Sequence, residues 1–315
     1  MESLIAGAGT QLCMMLVVVA VGFVIGKLRY FTPEVCNGIN NYLMNVALPC
    51  LIIGSVAVLD ADSAQALILP AFALAAAQFV AFIAVSAACN VLFRTPRDQR
   101  NLYLFMNMCT NTGFFALPIL QAVYGDETVL VSSIFILVCN LFIGSVGFMI
   151  LAAADKESGP GKPKINLKTL INAPLVSCLF ALGVFFAGWS FPPVLQSSLD
   201  FLGSTCAPLA MLLVGAVLSR HNLGKVFGET RMYGFILVRQ LIVPLASIFL
   251  LRLAGVDPLI VTIFVIMFAA PVGSMVPAFA GIYHQDTRLA ATGTVLSTMS
   301  CFVAYPVLIA VMTLA

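Results

Sequence analysis

The chain has 315 residues, 61% of them hydrophobic and only 9% charged, against roughly 25% charged residues in ordinary soluble domains. That balance excludes a water-soluble globular protein, since too little charge is available to keep the folded chain dispersed. The formal net charge of +2 marks out no strongly charged partner, and no basic cluster with interleaved aromatics points to nucleic acid.

Apolar stretches near the roughly 20 residues that a helix needs to cross a bilayer predict ten spans. They fall at 8–27, 36–59, 64–93, 101–124, 127–153, 169–189, 196–219, 230–252, 258–283 and 288–313. Their long runs of Leu, Val, Ala, Phe and Ile lack the alternation of barrel strands, so the fold class is an all-α membrane protein with the lipid bilayer as its surroundings. The first span has no basic leader or polar cleavage region and reads as a retained span.

Thirteen of the fifteen basic residues, from Lys27 and Arg29 through Lys156, Lys162, Lys164 and Lys168 to Arg288, fall on alternate links or the span ends beside them. By the positive-inside rule those links are cytoplasmic and both termini lie outside a cell (inner) membrane. The nine cysteines are scattered singly without a Cys-x-x-Cys pair, and His221 and His284 sit far apart in links, so neither disulfides nor a metal site is expected.

The second span contains Asn45 four residues before Pro49, and the fourth reads Asn111-Thr112-Gly113-Phe114-Phe115-Ala116-Leu117-Pro118. Pro118 lacks an N–H and crowds the Phe114 carbonyl, while Gly113 admits backbone angles that a helix does not use. A break there leaves free amides and carbonyls beside the Asn111 amide; the alternative is a proline kink with Asn111 bonded to a neighbouring helix.

The hydrophilic stretch from Asp155 to Lys168 separates residues 1–154 from 169–315 as a cytoplasmic linker between repeats. Pro49 and Pro118 recur as Pro208 and Pro277, each 159 positions later, and the same shift aligns Met108 with Met267, Tyr124 with Tyr283 and Thr128 with Thr287. Each half holds five spans, an odd number, so the second enters the membrane from the opposite side and the repeat is inverted.

The seventh span places Ser204 and Thr205 before Pro208. Arg239 lies about 12 Å along the eighth span from Arg231, and needs water or a partner. It either bonds freed carbonyls, snorkels toward the cytoplasm or binds solute directly. In the ninth span Pro271, Gly273, Ser274 and Pro277 interrupt one apolar stretch. Crossed breaks in the fourth and ninth spans would turn half-helix N-termini toward each other, an arrangement suited to a carboxylate without any fixed cation. No paired carboxylates lie deep in a span, and no Walker loop, nucleophile elbow or His-Glu-x-x-His occurs, so an enzyme, an ATP-driven pump and a cofactor are not expected.

With these segments, the chain resembles the auxin efflux carrier family, which includes plant auxin carriers and bacterial permeases for small dicarboxylic acids. The likeness runs nearly end to end. It is carried by Phe31-Thr32-Pro33-Glu34 leading to Ala47-Leu48-Pro49, Asn111-Thr112 through Leu117-Pro118, Leu209-Ala210-Met211, Val238-Arg239 with Pro244, and Pro271-Val272-Gly273 with Val276-Pro277. The resemblance implies a ten-helix fold of the sodium/proton antiporter type, with crossed fourth and ninth helices, a scaffold that dimerises and a transport domain that moves like an elevator. It implies substrate contact at Asn111, crossover prolines at Pro118 and Pro277, and a sixth-helix asparagine whose nearest match is Asn172. Asn172 precedes Ala173-Pro174 here instead of forming an Asn-Pro pair. The fourteen-residue linker leaves out the long regulatory loop of plant carriers and fits a bacterial permease for a small mono- or dicarboxylate. Competing readings are a sodium-coupled symporter of the bile-acid type, which needs oxygen ligands around the crossover, and a non-transporting membrane receptor.

Overall fold

A computed structural model describes residues 2–57, 61–154, 173–220 and 228–314. Among them there is no strand, and the chain runs as helices α1 (Glu2–Lys27), α2 (33–57), α3 (Ala61–Leu92), α4 (Arg100–Met108), α5 (Thr112–Tyr124) and α6 (127–153). It continues as α7 (Ala173–Phe186), α8 (Pro193–Arg220), α9 (Thr230–Leu253), α10 (Pro258–Phe268), α11 (Val276–Ile282) and α12 (Thr287–Leu314). Four described stretches are long and apolar enough to cross a membrane: Leu67–Leu92, Pro193–Arg220, Thr230–Leu253 and Thr287–Leu314. Shorter apolar helices lie between them. Large apolar side chains such as Val17, Leu69, Val80, Val194 and Leu253 face outward, as expected of a surface solvated by lipid. The protein is an integral membrane protein.

The prolines act in two ways. Pro118 and Pro277 follow true gaps at 109–111 and 269–275, as the seventh residue of α5 and the second of α11. Pro49 opens no gap: one π-turn, Leu43–Ala47, carries the chain into Leu48–Ala57 without a break. The same device precedes Pro118, at Thr112–Ala116, and Pro244, at Val238–Ile242. In each the residue before proline bonds five positions back: Leu48 to the Leu43 carbonyl, Leu117 to Thr112, Val243 to Val238. Widening the turn makes room for the ring. At Pro208 the helix instead pauses for one residue, Thr205, whose hydroxyl bonds Tyr42 Oη at 3.0 Å. Thr32 starts α2 by accepting the Val35 N–H at 3.4 Å, and its hydroxyl holds the Glu34 carboxyl below the usual carboxylate range.

The closest packing falls into two groups. In one, α1 lies along α8, and α2 against α7 and α8. In the other, α3 packs on α4 and α6, α9 on α10, and α11 on α12. The α1–α8 contact is nearly backbone to backbone. Gly22 and Gly26 on α1 meet Gly215 and Ser219 on α8, and a Cβ on Gly22 or Gly215 would strike the Leu212 or Val19 carbonyl.

Candidate functional site

The gaps after α4 and α10 cross as a single antiparallel bridge between Thr110 and Val272. The Asn111 N–H donates to the Pro271 carbonyl at 2.8 Å, and the Gly273 N–H donates to the Cys109 carbonyl at 2.7 Å. These two bonds satisfy groups that would otherwise be orphaned at membrane depth. Gly273 is required by the close approach, since a Cβ there would lie 3.1 Å from the Cys109 carbonyl oxygen.

Side chains satisfy the rest of the break. Carbonyls at the end of α10 are taken up by Tyr305 Oη on Ile266 (3.1 Å), Gln240 Nε2 on Ala269 (3.2 Å) and Arg239 Nη2 on Ala270 (2.6 Å). The Val272 N–H donates to Ser297 Oγ at 2.9 Å, and Thr294 Oγ1 donates to the Gly273 carbonyl at 3.3 Å. Gln240 Nε2 also donates to the Ser297 carbonyl and Cys301 Sγ, while its Oε1 accepts from Ser300 Oγ. Arg239 is fully buried and neither snorkels nor lines a cavity. One of its bonds goes to a carbonyl freed by the break.

A cavity of about 160 Å³ opens beside the bridge. Its walls are Met44 and Leu48 of α2, residues 109–114 at the first break, Ile136, Asn140, Ile143 and Phe148 of α6, and Gly273, Ser274, Met275 and Phe279 at the second. A smaller cavity of about 20 Å³ lies against α8 and α12 and shares Asn111, Phe114 and Ser274 with the first. Asn111 has helix-breaking angles, φ −84° and ψ 54°, and its carbonyl accepts the Phe115 N–H at 3.1 Å. Among the described residues nothing pairs with its carboxamide, which is available to a solute. The first-turn amides of α5, at Thr112, Gly113 and Phe114, form the same wall and present the positive end of that helix. No lining residue carries a formal charge. Among the described residues no group of three His, Cys, Asp or Glu side chains is placed to hold a metal ion.

The structure thus brings Asn111, Thr112, Gly113, Gly273 and Ser274 together at the cavity. Pro271 supplies the bridging carbonyl, and Pro118 and Pro277, the seventh residue of α5 and the second of α11, do not line the cavity. Asn45 is apart: it is exposed, and its Nδ2 returns to the Asn41 carbonyl at 2.8 Å, while Met44 and Leu48 face the cavity. Asn172 lies outside the described residues. Sequence reasoning missed Asn140 and the polar stripe Thr294, Ser297, Cys301 and Tyr305 on α12. That stripe recurs every three or four residues along an otherwise apolar helix, the signal that could have revealed it.

A sequence profile described as a membrane transport protein matches residues 8–309. An uncharacterized transporter of Methanocaldococcus jannaschii is 24% identical over 292 residues, covering 90% of this chain and 92% of that one. An uncharacterized transporter of Methanothermobacter thermautotrophicus is 23% identical over 306 residues, covering 95% and 97%. A crossed pair of broken helices, a solute-sized cavity at the crossing and a profile match over nearly the whole length agree, and the chain belongs to the membrane transport protein family, the auxin efflux carriers.

Proposed function

We propose that this membrane transporter moves a small organic anion, a mono- or dicarboxylate or an auxin-like acid, by secondary active or facilitative alternating access. The observation that carries the reading is the cavity wall made of the unpaired Asn111 carboxamide and the leading amides of α5. Those donors favour a carboxylate through their partial charges. Taking α4 with α5 and α10 with α11 as one crossing each gives ten crossings, as two inverted five-helix repeats joined by the linker 155–168. Both termini then lie outside the inner membrane. The cavity lies between α2 and α8 on one side and the crossover with α6 and α12 on the other. Elevator-type motion of the crossover group against an α1–α2–α7–α8 scaffold, dimeric in the manner of the family, would carry the site across.

The test is uptake of labelled malate, malonate and indole acetate into proteoliposomes. Saturable flux of at least one is expected, and Asn111→Ala is expected to lower it about tenfold or more, the cost of losing a substrate hydrogen bond in a dry site. Full flux in Asn111→Ala removes that residue from the site. Saturable uptake of none of the three, by protein that remains folded, overturns the organic-anion reading.

A further inference from the structure

We propose that Arg239 is the fixed positive charge that makes the crossover cavity prefer anions to neutral solutes, acting through the bonded backbone of the break and not by touching the solute. The inference rests on the organic-anion reading and assigns its charge selectivity to a positioning residue behind the cavity wall.

Arg239 is 0% exposed. Nη2 donates to the Ala270 carbonyl at 2.6 Å, while Nε and Nη1 have no hydrogen-bond partner among the described residues. The Phe82 ring centre lies 5.9 Å from the guanidinium carbon and gives a cation–π contact on one face. The ionisable groups within its electrostatic reach are Cys301, Tyr305, Cys109 and Cys139. None is a carboxyl group, so the guanidinium has no counter-ion among the described residues. A buried charge left in that condition is one of the costliest arrangements in a membrane protein. If carbonyl capping were its whole purpose, the neutral amide of neighbouring Gln240, which caps Ala269, shows that a charge is not needed.

The cation stands next to the cavity's own framework. Ala270, which it holds, is followed by Pro271, whose carbonyl holds the Asn111 N–H at 2.8 Å. Cys109, within its reach, lines the cavity beside Asn111. A carboxylate on the Asn111 amide therefore supplies the missing negative charge, whereas a neutral solute of the same shape does not. In a medium of effective dielectric near 20, a unit charge about 10 Å away favours an anion over its neutral isostere by about tenfold or more.

The experiment compares binding of malate, malonate and indole acetate with that of their amides, which keep the skeleton and lose the charge, by calorimetry on the purified protein. Wild type is expected to bind at least one acid about tenfold or more above its amide. Arg239→Met should lower that ratio several-fold, whatever the uncapped Ala270 carbonyl does to acid and amide affinity together, and Arg239→Lys should retain most of it. A lost fold would lower acid and amide binding alike, so the ratio separates charge from structure. Cys301→Asp provides a second route, placing a carboxylate within the guanidinium's electrostatic reach; it too should lower the ratio several-fold. Acid binding with an undiminished ratio in Arg239→Met or Cys301→Asp overturns the inference and leaves the organic-anion reading standing. A ratio near one in wild type overturns it as well. Binding of none of the acids to wild type overturns both.

Discussion

At the scale of single residues, the break is maintained by side chains that each answer one backbone group. Gln240 is the most heavily used: its Nε2 serves the Ala269 and Ser297 carbonyls and its Oε1 takes the Ser300 hydroxyl. Gln240→Leu keeps much of the volume and abandons all three, at a cost of about 2–4 kcal/mol for buried groups left unpaired. A drop of several degrees in the melting temperature in detergent is expected. A variant that melts with wild type would show that these bonds contribute nothing net. Asn111 could be read from the sequence because its helix-breaking neighbours, Gly113 and Pro118, are close along the chain. The partner of Arg239 could not, since Ala270 lies in the break after α10 and presents only a backbone carbonyl, which no residue type announces. Asn45 failed to mark the cavity for a different reason. The π-turn at Leu43–Ala47 shifts the helical phase, turning Met44 and Leu48 inward and Asn45 away.

At the scale of elements, helix positions were legible from apolar run length, and the breaks in the fourth and ninth spans from glycine and proline. The contact between α1 and α8 was not, because small residues are scattered throughout so apolar a chain and their pairing depends on the fold. The contact makes a sharp prediction. Gly215→Ala drives a methyl into the backbone of α1 at Val19 and Phe23, where neither helix can yield without separating. A loss of about 1–3 kcal/mol is expected, read as a lower melting temperature. Gly38→Ala, with nothing within 4 Å of the added methyl and a helical setting, should be neutral or stabilising by up to about 1 kcal/mol. Equal behaviour of the two variants would remove the α1–α8 seam as a point of close packing.

At the scale of the whole molecule, the charge pattern assigns a side to every link. In a background with Cys13 and Cys50 changed to serine, Glu127→Cys should react with a membrane-impermeant maleimide in intact cells. Ser158→Cys, in the linker, should react only after permeabilisation. The reverse pattern would invert the assigned orientation. The division into two packing groups was only partly legible: the broken spans were in the sequence, but which helices from each half associate depends on surfaces such as the Gly22–Gly215 seam.

The Thr110–Val272 bridge also bears on how the protein is made. Its two segments come from opposite halves of the chain, so during synthesis α4 and α5 enter the bilayer while the Cys109 carbonyl and the Asn111 amide still lack their partners. Those groups stay exposed until α10 and α11 emerge from the ribosome, with the Arg239 and Gln240 segment arriving just before them. The crossing is therefore among the last features to be assembled, and a nascent chain stalled before residue 271 holds an open break.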